Sequence, residues 1–529
     1  MNQLLSIFGF LSVLLRGATL AFEALVAGGV LFILICLVDG APETAAGCRR
    51  LIRWSAAALA LAQLISIGID AAILRGTTDL SLIDIATAGF FMAGAASALA
   101  AIGCVLFARY FKPANWLMLL PAGVLLAASL MTSHAAARVD HRLPAFLLTA
   151  LHQGATLAWI GGLPYLLIAA IRNSASPAAA RIGERFSRLA QISIAALLLS
   201  GAGLTYYYVG SGPGLYGTSY GLMILGKATM FALLLGLGAL NFRLVRALQR
   251  GEYPFLFRLR RLSEAEIGIG FTVILAAASL TSQAPAIDIQ SRITPRQIAD
   301  RFTPREPRFT SPLPSEIQAT KTPAAAPDAY VPGGAPPARG ANDIAWSEYN
   351  HNWAGVVVLA IGLLAAASRV LGFRWARHWP LAFLGLAAFL VFRADADAWP
   401  LGPRGFWSSM LDPEILQHRL FALMIVAFAI FEWGIQVGRI HSRAAALVFP
   451  GVSALGGALL LTHSHGLSNF KEEYLAEASH LPIAIFAVTA GWSRWLEQRL
   501  DGAWQRLPGM IWPVCFVAIG LMLLFYREA

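Results

Sequence analysis

The stretch LHQGATLAWIGGLPYLLIAAIR, residues 151–172, decides the fold. One histidine stands near its start and one arginine closes it. Everything between is uncharged and mostly apolar, over a length that crosses a bilayer core of about 30 Å as a helix. Working outward, the same character recurs. Candidate spans run at roughly 14–38, 54–74, 84–108 and 115–133 before it and 143–171 across it. They continue at roughly 186–209, 219–248, 263–281, 351–370, 377–392, 414–437, 443–462, 479–497 and 508–526. The expected fold class is all-α: a polytopic helical integral membrane protein with about 14 transmembrane helices, in an eight-helix and a six-helix bundle.

Composition agrees. Of 529 residues, 57% are hydrophobic and only 13% charged, with a mean hydropathy of +0.63, whereas about a quarter of residues in a soluble chain are charged. The net charge of +11 does not point to nucleic acid, because the arginines are spread over short loops. Those loops follow alternate spans: Arg49, Arg50 and Arg53; Arg172, Arg181, Arg185 and Arg188; Arg369, Arg374 and Arg377. By the positive-inside rule they are cytoplasmic, which sets the intervening loops and both termini outside. The first helix has no basic segment ahead of it and no small-residue cleavage site, so it is expected to be retained.

Residues 282–350 break the apolar pattern with TPREPRFTSPLPSEIQATKTPAAAPDAYVPGGAPPARG. This composition predicts a Pro-rich external linker between an N-terminal eight-helix domain, 1–281, and a C-terminal six-helix, His-rich domain, 351–529. The cysteines Cys36, Cys48, Cys104 and Cys515 are isolated and form no CxxC pair. Walker A, phosphorylation and dinucleotide motifs are absent, so the chain does not read as an enzyme or as directly energised by ATP.

Eight of the ten histidines fall on the predicted external side: His134, His141, His152, His351, His418, His463, His465 and His480. Neutral imidazole is the commonest metal ligand, and such segregation predicts a metal-handling face. His134 leaves the fourth span where His152 opens the fifth, so a short loop can bring them to adjacent helix ends. Met131 could add a thioether, which favours Cu(I). Trp159, two turns from His152, could close a pocket, and His141 reads as solvated. In the second half His351, His418, His463, His465 and His480 all stand at external helix ends, two of them in HSH. The bland alternatives are an interfacial histidine, a methionine packed in its helix and a polar turn ended by Gly466. Lys227, Glu23 and Asp70 interrupt apolar spans, which marks them for function or for an ion pair between Lys227 and one of the acids. Glu432 reads as facing headgroups near the cytoplasmic end of its helix.

Several of these stretches together resemble a known family. SHAA (133–136), LHQGATLAWIGGLPYL (151–166), RFSRLAQISIAALLLSGAGLTYY (185–207) and YGLMILGKATMFALLLGLGALNFRLV (220–245) closely resemble the copper resistance D family, CopD, over about residues 130–280. The resemblance implies a bacterial inner-membrane protein that moves copper ion, Cu(I) or Cu(II), between periplasm and cytoplasm. It also implies a separate periplasmic CopC-like carrier as partner, beside the lipid bilayer. The family's His and WxGG positions fall on His134, His152, Trp159, Gly161 and Gly162. Two rival readings remain at this stage. One is a haem b redox protein, ligated by histidines such as His418, His463 and His480. The other is a copper-binding assembly or sensing partner that moves nothing.

Overall fold

A computed structural model describes residues 2–37, 42–110, 116–173, 177–290, 292–313, 316–317, 340–395, 397–461 and 470–528. Among the described residues there are helices and turns and no strands. Eleven helices are long and apolar enough to cross a membrane, and two shorter apolar ones cover Trp116–Met131 and Ala445–Leu460. A helix lies on each segment that hydropathy marked out. The chain divides into two compact units: Met1–Leu215 with Met223–Ile289, and Tyr216–Leu222 with Gln290–Ala529.

The first unit contains α1 (Asn2–Ile35), α2 (Pro42–Thr77), α3 (Leu82–Thr87), α4 (Gly89–Tyr110), α5 (Leu119–Met131), α6 (His134–Ala137), α7 (Arg142–Trp159) and α8 (Leu163–Arg172). It continues with α9 (Pro177–Tyr208), α10 (Gly212–Tyr216), α11 (Ser219–Gln249) and α12 (Phe255–Leu280). Its most buried spans are α1, α7 with α8, and α12, which form its centre. The WIGG step breaks α7 from α8, because Pro164 enters the first turn of α8 and supplies no N–H to the preceding helix. Gly161 packs directly on α1. A Cβ there would fall 2.0 Å from the Ala24 carbonyl oxygen, and one at Gly28 2.4 Å from the Gly161 carbonyl carbon. Small residues replace the hydrophobic drive for helix association in lipid by letting backbones touch. Tyr165 then locks the crossing by donating to the Leu25 carbonyl at 2.6 Å.

The second unit starts with α13 (Pro295–Phe302), inside the segment expected to be extended linker. A capping box between Thr294 and Gln297 starts this helix. Arg301 is buried, donates to Ser479 at 3.2 Å and lies 4.9 Å over the Tyr526 ring. Then follow α14 (Ala341–Val370), α15 (Ala382–Arg393), α16 (Phe406–Met410), α17 (Pro413–Gln436), α18 (Val448–Leu460), α19 (Phe470–Arg499) and α20 (Arg506–Leu524). Helix α14 begins well before the predicted apolar span, adding polar turns that carry Asp343 and Trp346. Gly355, Gly362 and Gly520 bring α14 and α20 into backbone contact. The core is aromatic: Trp379, Phe383, Phe428, Phe449, Trp512 and Phe516 pack edge to face.

Glu432 departs from its expected place at the headgroups. It is 1% exposed, and Arg494 donates to it at 2.6 Å. Arg494 also reaches Glu497 at 2.7 Å, and Glu497 binds Arg369 and accepts from Trp512 Nε1 at 2.8 Å. Glu432, Arg369 and the Arg494–Glu497 pair stand near the ends of three different helices, and the pairing across helices was invisible to a reading of one span at a time.

Candidate functional site

In the first unit, His152 projects from α7 toward α9. Its Nδ1 lies 3.1 Å from Ser200 Oγ, and the Ser200 hydroxyl donates its own proton to the Ala196 carbonyl at 2.6 Å. Ser200 therefore accepts from Nδ1–H, which leaves the lone pair of the His152 ring on Nε2. Gly201 leaves room beside the ring, since a Cβ there would stand 3.8 Å from His152 Cε1. Lys227 of α11 is within electrostatic reach of the imidazole. Among the described residues no acid lies within salt-bridge distance of Lys227.

Trp159 does not close a pocket over His152. Its ring stands edge-on to Phe231, 5.9 Å between centroids, and its N–H donates to Glu266 Oε1 at 3.1 Å. Asn241 donates to the other oxygen of Glu266 at 2.5 Å. Glu266 lies in SEAEIGIG, inside a predicted span, and an acid in that position was the signal that could have found it.

A polar cavity of about 280 Å³ opens between α1, α2, α4, α5 and α12. Arg16, Glu23, Gln63, Asp70, Ser97 and Thr281 line it. Arg16 and Glu23 lie two turns apart on one face of α1 and are each other's charge partner. Glu23 and Asp70 thus share a cavity with Arg16, a residue the sequence reading did not single out, and among the described residues neither lies within salt-bridge distance of Lys227. His134 stands beside this cavity, within reach of the Arg16 charge, hydrogen-bonded to the Leu280 carbonyl and 6.3 Å from the Tyr208 ring. Its Nε2 is buried and has no hydrogen-bond partner among the described residues. Burial pushes the His134 pKa below the ordinary imidazole range, partly offset by Leu280 and the Asp288 carboxylate, so the ring is neutral at physiological pH. His134 and His152 face different neighbours. Met131 is 57% exposed, turned out from its helix, and His141 meets Tyr207 at 5.5 Å.

In the second unit, His351 is stacked on Tyr526 at 3.9 Å, with Nδ1 2.8 Å from the Ser347 carbonyl. His418 places Nδ1 2.8 Å from Asp395 Oδ1, and Asp395 also holds Arg419 at 3.3 Å. The two imidazoles are in electrostatic reach of one another. A carbonyl or carboxylate behind Nδ1 is the support that ligating histidines use, because it fixes the tautomer and leaves Nε2 free. Burial, with the neighbouring Glu528 carboxylate, holds the Tyr526 phenol well above its ordinary pKa, so it stays a neutral donor to Glu528 at 3.0 Å. His480 lies on α19, while His463 and His465 fall outside the described residues. His378 stands apart from this group, its Nδ1 accepting from Trp433 at 3.0 Å. Among the described residues no three His, Cys, Asp or Glu side chains are arranged to hold a metal ion.

These features define a class: an all-α, multi-pass membrane protein with imidazoles near its helix ends and ionisable groups within its spans, Glu266 and Lys227, that have no counter-charge within salt-bridge distance among the described residues. Comparison with known proteins narrows it. Residues 180–280 match the family described as Copper resistance protein D, and this stretch is CopD-like. The copper transport protein CutJ of Bacillus subtilis (strain 168) is 31% identical over 161 residues, covering 30% of this chain and 28% of that protein. The chain therefore matches well under half of that relative's length. No solved structure matches. The matched residues include Ser200, Lys227, Asn241 and Glu266, while His134, His152 and Trp159 precede them.

Proposed function

We propose that this protein carries copper across the bacterial inner membrane, as a transporter and not as an enzyme, in the service of copper homeostasis or resistance. The observation that carries the reading is His152, a ligand-ready imidazole held by Ser200 inside a CopD-like helix bundle. His134 is its natural companion, being buried and neutral with an unused Nε2. In this reading, copper arrives at external imidazoles, His351, His418, His463, His465 and His480 in the second unit and His134 and His152 in the first. A separate CopC-like chain can deliver it, both termini lie in the periplasm, and the polar cavity around Glu23 and Asp70 offers an aqueous approach. Imidazole donors suit copper, which heads the Irving–Williams order among divalent ions. Haem b gains no support from the matched proteins, which are described by copper.

The test is the metal and haem content of detergent-purified wild type beside a variant with His418, His463, His465 and His480 all replaced by alanine. Bound copper without a Soret band, reduced in the variant, is expected. A haem spectrum, or copper content unchanged by the four replacements, contradicts this assignment.

A further inference from the structure

Glu266 is 2% exposed, in the centre of the first unit. Trp159 Nε1–H donates to one carboxyl oxygen at 3.1 Å and Asn241 Nδ2–H to the other at 2.5 Å. Both donors are neutral, and among the described residues no cation lies within salt-bridge distance. A carboxylate buried without a counter-charge is costly in a membrane interior, and a proton removes that cost.

Asn241 adds a second, independent observation. It is 7% exposed, and its Oδ1 is buried with no hydrogen-bond partner among the described residues. An ionised Glu266 is acceptor-only and uses the amide N–H. A neutral Glu266 gains an O–H that needs an acceptor, and a turn of the Asn241 amide presents the unused Oδ1 to it. The same side chain therefore serves both protonation states, and neither leaves the carboxyl without a partner.

The helices around Glu266 bring no competing charge to it. On α7, His152 is two turns from Trp159 and bonded to Ser200. On α11, Lys227 lies about four turns from Asn241 and Arg243 two residues beyond it. On α1, Arg16 and Glu23 are electrostatic partners two turns apart, and on α8 Tyr165 donates to Leu25 while Arg172 closes the far end. On α12 itself Arg261 pairs with Glu264 at 2.5 Å.

We infer that Glu266 is a proton-binding site, served in both its states by Asn241, and that its loading and release accompany copper movement through the first unit. The copper half rests on the proposed function above; the proton half does not. The experiment uses the purified full-length protein in two measurements. Infrared titration of wild type should reveal a protonated-carboxyl band that is lost in Glu266→Gln and displaced in Glu266→Asp, the second variant guarding against a failure of the first to fold. Copper uptake into proteoliposomes should rise with an imposed pH gradient in wild type and lose that response in Glu266→Gln. No titrating band, or a full gradient response in Glu266→Gln, overturns the inference. Wild type that titrates normally but moves no copper removes the coupling and the proposed function together, and leaves the proton site standing.

Discussion

The two units treat buried charge in opposite ways. In the second, Arg494 is 5% exposed yet ion-paired to both Glu432 and Glu497, and Arg369 completes the set. Around that network stands an aromatic core with few polar atoms. In the first unit, Glu266 meets only neutral donors and Lys227 has no acid within salt-bridge distance among the described residues. Arg16, Glu23 and Asp70 border a cavity. Paired charges hold a structure, and ionisable groups left without a counter-charge are available to exchange protons or ions. The difference points to the first unit as the place where something moves and to the ionic end of the second as a fixed scaffold.

The sharpest way to break this contrast is Arg494→Met, which leaves the buried Glu432 without its cation while Glu497 keeps Arg369. Removing one partner of a buried pair costs about 3–5 kcal/mol. Unfolding in detergent should show a loss of that size, and a change below about 1 kcal/mol would mean the network is solvated and not structural. Next comes Gly161→Ala, whose Cβ would collide with the Ala24 carbonyl at 2.0 Å. Overpacking of this kind costs about 1–3 kcal/mol. Wild-type melting of that variant would show that α1 and the WIGG step are not in backbone contact.

How far the sequence carried each of these residues follows from the physics of the bilayer. Lipid forces every span to be helical and apolar, so the helices were legible from hydropathy alone, whereas 143–171 read as one unbroken span and the break before Pro164 was not seen. His152 and Trp159 were legible as a pair two turns apart, but the direction each faces depends on α9 and α12. Ser200 and Glu266 are invisible from α7. Arg16 and Glu23 stood on one face of a single predicted span and could have been read together. Thr294 and Gln297 show a capping box in plain sequence, which the Pro-rich composition around them obscured. Glu432 was misplaced because its partner lies on another helix, and no local pattern encodes that pairing.

The smallest expected effect sharpens the comparison most finely. Ser200→Ala removes one hydrogen bond to His152, worth about 1 kcal/mol to stability. Losing the orienting partner of a ligating histidine weakens metal affinity by about 10–100-fold. Copper titration of the purified variant should show that drop with its melting nearly intact. Unchanged affinity would remove His152 from the ligand set.

The central claim is that copper passes through the first unit by way of its imidazoles. Copper flux into proteoliposomes should fall to the protein-free background when His134 and His152 are both replaced by alanine, with reconstituted protein at the wild-type level. Flux in the double variant equal to that of wild type would contradict the account.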